Sequence, residues 1–562
     1  MVAVSLIMMV LIANSYIFHT LLPIFKSLFL IVTIWLIGLF IEKGDHHESF
    51  LETFAKGLLI TIAFFFLMSS LKLINPTTII LYLILPYIAL PLKRASVFKV
   101  SKHLSQQFLK RDHFEYLIFI IPLLYAILPS TFYDTLVYHL GLPNFIIQHG
   151  GFVSAPEFMF YNMFIYYEIA LIPALYLGDF VPRLFHFFTG VLFILSVLDF
   201  AGHYFELKKR RIFLLTTLTL PLSLFLLTTV KADLVSAMFI FIAIKKYIDK
   251  QRIWSALFWG TAIGVKVFSG LAFGLFFLIV TLRNPVSTMW LHLRIGIIAF
   301  LTVLPLLIKN VLIIGNPVFP FLSHLFTTLY WDHSRYLLVR SEVGSSYQSL
   351  MDLLKAPYRF SFQMQGAGGM VGPIFLVFLP FLAFFKRYKH QFLLYFSLLL
   401  LFSAPLFGQA FRYIYIVFIL LSIFVALSYQ LNDSKFLKIV FGILIVYNSI
   451  YGLFTLESIY SARKLYFEKQ SIEQYRLHYY PSYRGFSTIN RITPPSSKIL
   501  VAGESRGYLL KRRHMIASPY DYSIMDKYIV HSSNRKQFFE RIKADGFDYL
   551  FFNLAEFKRL QS

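Results

Sequence analysis

The chain has no cysteine in 562 residues, which excludes disulfides, thiolate nucleophiles and Cys-ligated zinc or iron–sulfur sites. Charge is also scarce. Only 14% of residues are charged, 58% are hydrophobic and 19% aromatic, and mean hydropathy is +0.68; this balance excludes a water-soluble globular enzyme. Negative charge is scarcest of all, with 28 Asp+Glu against 52 Lys+Arg and a formal net charge of +24. In so apolar a chain that surplus reads as loop charge facing an anionic membrane surface, and no nucleic-acid partner is expected. Chemistry is left to carboxylates, bases, hydroxyls or a bound cofactor.

In place of charge the sequence carries repeated apolar blocks, from Val2–Phe25 and Ser27–Ile41 through Tyr116–Tyr133, Ile212–Val230 and Ile253–Leu282 to Tyr413–Leu431 and Phe436–Leu456. A hydrocarbon layer of roughly 30 Å takes about 20 helical residues, so the pattern predicts an all-α polytopic membrane protein of about 13 to 15 spans. The first block lacks a cleavage-site pattern and reads as an uncleaved span.

Short basic loops mark the cytoplasmic side. The clusters are Lys93 to Arg111, Lys208 to Arg211, Lys245 to Arg252 and Lys386 to Lys389. Threading spans between them puts the N-terminus in the cytoplasm and an outer loop at about 130–181, a stretch with four acidic residues and no basic one until Arg183. A second outer loop follows near 315–370. The expected organisation is a transmembrane domain over 1–456 and a small soluble α/β domain over 457–562 on the outer, periplasmic face of a bacterial inner membrane. Within that domain Lys498–Ala502 and Asp548–Asn553 read as strands, Glu504–Leu510 as a helix start and Asn534–Ala544 as an amphipathic helix. His46-His47 falls in a cytoplasmic loop and reads as solvated.

Ionisable residues at membrane boundaries are costly unless they face a cavity or a partner. Asp134 follows a span directly; in a helix it shares a face with Tyr138. It either caps that helix or accepts a proton from an attacking hydroxyl. Arg183, Lys231, Lys266 and Arg412 are cations at the outer boundary that either snorkel or stabilise charge on a leaving group. Asp233, two residues after Lys231, either pairs with it or meets the substrate. His139 either binds phosphate, orders Asp134 or is a satisfied structural group.

The run Asp134-x-x-x-Tyr138-His139-x-x-x-Pro143, followed by Pro156-Glu157 and Tyr161-Asn162, resembles the first periplasmic loop of GT-C glycosyltransferases of the protein-mannosyltransferase and aminoarabinose-transferase type (glycosyltransferase family 39). In the same order, Val181-Pro182-Arg183-Leu184-Phe185-His186, Thr228-Thr229-Val230-Lys231-Ala232-Asp233, Gly260 to Lys266, Gly315-Asn316-Pro317 and Arg412-Tyr413 are similar to later marks of that family. The resemblance runs from Asp134 to the C-terminus. It implies a GT-C-like fold and transfer of a sugar from a polyprenyl-phosphate-linked donor to a lipid, glycan or protein acceptor, among membrane lipids. Asp134 would be the catalytic base, and Tyr138, His139, Glu157, Arg183, Lys231, Asp233, Lys266, Arg412 and Tyr413 would bind substrate. Thr135 stands where the family often has a second acidic residue, and Glu157 where it has a proline; a divalent cation is therefore an open possibility and no other cofactor is expected.

Two other readings use the same residues. A transporter or flippase of lipid-linked saccharides would need cations beside a membrane groove, but no indispensable outer carboxylate, and the inverted repeats expected of it are not visible. An O-antigen polymerase or ligase would hold its essential groups in a large outer loop, where Arg335, Arg340, Arg359, His324 and His333 are found.

Overall fold

The computed structural model describes residues 15–42, 49–93, 97–98, 111–283, 285–326, 328, 330–343, 351, 354–363, 371–378, 380, 390–403, 410–480 and 482–554. His46, His47, Lys99, Lys102, Lys110 and the basic group at 386–389 lie outside the described residues.

Apolar sequence folds into helices wherever local caps allow. Ser49 and Glu52 form a reciprocal capping box that starts the Phe50–Ser70 helix. Asn75 accepts from Thr78 N at 3.0 Å to start the helix at Pro76, a residue whose missing N–H costs nothing at that position. Among the described residues, six helices are long and apolar enough to cross a membrane: His19–Ile41, Phe50–Ser70, Val181–Phe205, Met289–Ile314, Phe411–Leu431 and Lys435–Tyr460. Arg210–Leu218 and Pro221–Thr228 make a seventh if their 76° bend is one broken span; Pro221 cannot continue the first helix. The chain is a multi-pass membrane protein.

Among the described residues, full-length helices are fewer than the 13 to 15 spans expected, and several apolar blocks there fold as shorter pieces. The Tyr116–Tyr133 block folds as the end of the brief helix Phe114–Leu117 and the helix Ile120–Ala126. Ile253–Leu282 splits into Arg252–Val265 and Ser269–Arg283, with Lys266 in extended conformation at the break. The last long helix runs past residue 456 to Tyr460.

Phe411–Leu431 is a central helix, buried along most of its length, whereas Lys435–Tyr460 exposes Phe436, Ile439, Ile443, Ile450 and Phe454, as a lipid-facing helix does. The first two spans cross at two glycines. A Cβ on Gly38 would stand 1.8 Å from the Thr53 carbonyl oxygen, and one on Gly57 1.7 Å from that of Ile34. Such backbone contact is open only to glycine, and in lipid it supplies packing that the hydrophobic effect does not.

The almost wholly buried Ala232–Ile248 helix separates two charged regions. At its end Lys245 and Lys246 both bind Glu52, at 2.9 and 2.8 Å. Nearby, Glu115 takes Arg210 at 2.6 Å and Arg111 at 3.1 Å. At its start stands Asp233, about 18 to 20 Å away at 1.5 Å per residue.

The C-terminal domain carries a parallel sheet in the order β2-β1-β3, with β1 Lys498–Ala502, β2 Arg513–Met515 and β3 Tyr549–Phe552. The helix expected over Asn534–Ala544 forms as Arg535–Ala544, with Asn534 as its cap. The helix expected from Glu504 is instead a short turn at Gly507–Leu509, followed by β2, which the sequence pattern did not show. Glu504 explains the difference: its carboxylate accepts from the Ser505 and Arg506 backbone N–H groups and pairs with the Arg506 side chain at 2.7 Å, closing a local turn in place of a helix.

This domain is clamped to the 130–181 segment. Asn144 donates to the Tyr508 and Leu510 carbonyls at 3.0 and 3.2 Å, and Asp179 receives both Arg476 and the Tyr508 hydroxyl. Asp521 accepts from the Met159 N–H at 3.0 Å and the Ser518 N–H at 2.7 Å. Burial pushes the Asp521 carboxyl up to about 7, against those bonds.

Two outcomes follow from these contacts. Gly57→Ala forces the first two spans apart and lowers stability by about 2 kcal/mol or more, read by thermal unfolding in detergent. Because the folded Asp521 pKa lies above its unfolded value, its contribution is complete below about pH 4 and is lost as pH rises through 7, roughly 4 kcal/mol across that window. Protection of the Met159 amide, after correction for the intrinsic pH dependence of exchange, should therefore fall between about pH 4 and 7 in wild type, and Asp521→Asn should flatten that fall.

Candidate active site

Asp134 opens a single wide turn, Thr135–His139, in which the Leu140 N–H reaches back to the Thr135 carbonyl at 2.8 Å. Turns of this width are often found at functional sites. The Asp134 side chain makes no capping bond; of the two readings drawn from sequence, capping is the one the geometry removes. Its carboxylate instead receives Lys231 Nζ at 2.5 Å, with Arg412 Nη2 at 3.9 Å. Thr135 ties the turn to this partner, donating to the Val230 carbonyl at 3.2 Å.

Lys231 is held in extended conformation between two helices. Two residues on, Asp233 lies in the first turn of the Ala232–Ile248 helix, where the helix dipole favours an anion. Asp233 binds Lys266, and Arg412 Nε stands 3.8 Å from its second oxygen. The Asp233–Lys231 pairing open in the sequence is thus not formed directly. The result is a ladder, Lys231–Asp134–Arg412–Asp233–Lys266, assembled from four segments.

Three cations meet two carboxylates there, leaving one positive charge in surplus. Arg412 bridges both carboxylates without bonding closely to either, and its Nε is buried with no hydrogen-bond partner among the described residues. Tyr413 covers the group, its ring 4.1 Å from Lys266 Nζ and 5.1 Å from the Arg412 guanidinium. Asp134 is the accessible carboxylate, with its side chain 26% exposed against 1% for Asp233. Burial pushes the Asp134 carboxyl up, but Lys231 and Arg412 outweigh it and hold it well below the usual carboxylate range.

Tyr138 and His139 stand beside the ladder. The Tyr138 ring stacks on Phe160 at 4.5 Å, and His139 Nδ1 lies 2.6 Å from Glu168 Oε1. Burial drives the imidazole down and the Glu168 carboxyl up, so the two share one proton as a neutral couple that braces the turn carrying Asp134. Glu168 was not among the residues the motifs singled out. Its signal was a lone carboxylate in the apolar run Tyr166-Tyr167-Glu168-Ile169-Ala170.

Arg183 and Glu157 are placed elsewhere. The Arg183 guanidinium donates to the carbonyls of Thr228, Leu128 and Pro129 at 2.6, 2.6 and 2.9 Å, and lies 4.3 Å from the Tyr460 ring centre. It straps the chain ends that flank Asp134 and Lys231 and touches neither carboxylate. Glu157 lies against the C-terminal domain, 4.0 Å from Lys527.

The donor set does not fit a divalent cation. Both ladder carboxylates are already bound by lysine, the surplus charge there is positive, and no group of three His, Asp or Glu side chains converges among the described residues. Breaking the ladder should be costly: Lys266→Met leaves buried Asp233 short of its partner and lowers stability by about 3 to 5 kcal/mol. Adding Asp233→Asn should recover most of that loss in thermal unfolding. A double variant no more stable than Lys266→Met would show that the two side chains are not coupled.

No protein-family model and no curated protein matches the chain. Among solved structures, ArnT from Cupriavidus metallidurans bound to undecaprenyl phosphate is similar to it with a TM-score of 0.49 and 13% sequence identity, over 79% of this chain and 90% of that chain. ArnT from the same organism in the apo state is similar with a TM-score of 0.48 and 12% identity, over the same 79% and 90%.

Proposed function

We propose that the chain is a glycosyltransferase that moves a sugar from a polyprenyl-phosphate carrier to an acceptor hydroxyl or amine, with Asp134 as general base. The observation that carries this reading is the ladder: an accessible carboxylate held among three fixed cations, with one positive charge in surplus.

The acceptor oxygen or nitrogen attacks the anomeric carbon on the face opposite the carrier, in a single inverting displacement. The bond between that carbon and the phosphate oxygen breaks, and its electron pair goes to the phosphate. Arg412 and Lys266, fixed before the reaction, meet the charge that develops on the leaving oxygen. The acceptor proton passes to Asp134. An aspartate gripped by Lys231 is a weak base, and the surplus cation gives this a resolution. The negative charge of a bound phosphate offsets the field of Lys231 and Arg412 at Asp134, which gains basicity only when donor is present.

The ladder sits at the end of the Ala232–Ile248 helix remote from the basic loops. By the positive-inside rule that end is the outer face of a bacterial inner membrane, with the N-terminus cytoplasmic and the C-terminal domain periplasmic. Lipid, glycan and protein acceptors are all compatible with a site there. Of the outer-loop groups a polymerase or ligase would use, Arg335 lies against the C-terminal domain, 4.0 Å from the Tyr522 ring centre.

Purified protein should transfer label from polyprenyl-phosphate sugars to envelope extracts. Asp134→Asn should lower the rate by about 10²- to 10⁴-fold while leaving donor binding within a few-fold. Equal transfer by both proteins would remove Asp134 from the chemistry, and passage of lipid-linked saccharide across a reconstituted bilayer without transfer would favour a transporter.

A further inference from the structure

A cavity of about 300 Å³, lined by aromatic and aliphatic side chains with a few charged groups among them, lies where three parts of the chain meet. Glu157 comes from the 130–181 segment, Tyr330 from the 315–370 segment, and Tyr522, Asp526, Lys527 and His531 from the C-terminal domain. Its chemistry differs from that of the ladder. Two carboxylates face one lysine, and that lysine is already shared with Asp545 at 3.0 Å. Glu157 Oε2 is buried with no hydrogen-bond partner among the described residues, while Lys527 stands 4.0 Å from the other oxygen. Its acceptor capacity is therefore open to a donor from outside the chain.

The aromatic side of the cavity is fixed in place. The Tyr522 hydroxyl donates to Asp332 at 2.6 Å, and the Arg335 guanidinium lies 4.0 Å from the ring centre. A positioned ring beside carboxylate acceptors suits a hydroxyl-bearing ring compound: its C–H face packs on the tyrosine and its O–H or N–H groups donate to Glu157 and Asp526. The net negative lining disfavours a phosphate.

The cavity is also connected to the ladder. Phe160, three residues after Glu157, stacks on Tyr138 at 4.5 Å and meets Tyr520 at 6.2 Å, and Tyr520 is two residues before Tyr522. This aromatic ribbon leads from the turn that carries Asp134 to the cavity wall.

We infer that the cavity binds the saccharide part of the acceptor, neutral or amino-substituted, and that the C-terminal domain is present to complete it. The inference rests on the transferase reading for the word acceptor, but the binding itself does not. Charge divides the work: the cationic ladder takes the donor phosphate and the anionic cavity takes the acceptor sugar.

The test uses the full-length protein in detergent and three probes: a glucosamine disaccharide, its N-acetylated counterpart and inorganic phosphate, followed by saturation-transfer NMR and competition. Both disaccharides should bind wild type. Glu157→Gln should weaken the amino disaccharide about tenfold and the acetylated one less, because the charge is lost but an acceptor oxygen remains. Tyr522→Ala should weaken both, and Tyr522→Phe, which keeps the ring, should restore them. Asp134→Asn should bind both as wild type does, so a failure of the transferase reading leaves this result standing. Phosphate that displaces the disaccharides, disaccharides that bind equally to all variants, or disaccharides that bind to none of the proteins would each overturn the inference. If transfer holds, Glu157→Gln should raise the acceptor KM with kcat nearly unchanged; the reverse split would also overturn it.

Discussion

The arrangement of the end of the helix bundle that carries the ladder depends on keeping two carboxylates ionised in surroundings with little water. Asp233 is almost fully buried, and an isolated carboxylate there would take up a proton or unfold its helix. Lys266 prevents this, and Lys266 reaches Asp233 only because the Ile253–Leu282 block breaks into two helices at that residue. Arg412 can bridge to Asp134 only because the Phe411–Leu431 helix is central and starts at the same level. The architecture of breaks and short helices is thus tied to pairing charge.

Around that ladder the remaining features act as supports. Arg183 fastens three carbonyls belonging to the strands of chain before Asp134 and Lys231. The His139–Glu168 couple braces the wide turn from the other side without adding net charge. The C-terminal domain is anchored to the same 130–181 segment through Asp179, Asn144 and Asp521, so the loop that carries Asp134 is held between membrane helices and a folded domain. A loop restrained from both sides can hold a reacting group at fixed distance.

Much of the candidate site was legible because charge is rare in this chain. Asp134, Lys231, Asp233, Lys266 and Arg412 stand out against apolar neighbours, and all five meet. Glu168 carried the same signal but lay beside Tyr166 and Tyr167, outside the motifs that drew attention. Arg183 looked like another free cation because nothing in a linear sequence shows that backbone carbonyls will consume its donors. Glu157 stood in the right loop, yet its direction toward Lys527 depends on a domain some 370 residues later in the chain.

The multi-pass helical class, the polar C-terminal domain and the inventory of charges at membrane boundaries were determined by sequence alone. These follow from local costs: an apolar run of sufficient length prefers lipid, and a charge beside it must find compensation wherever it lies. Which carboxylate meets which cation, where apolar blocks break, and whether Arg183 serves chemistry or the backbone were decided only by tertiary structure. Those outcomes turn on separations of a few ångströms between residues as distant as Asp134 and Arg412, and Coulomb and hydrogen-bond energies at that range have no counterpart in sequence spacing.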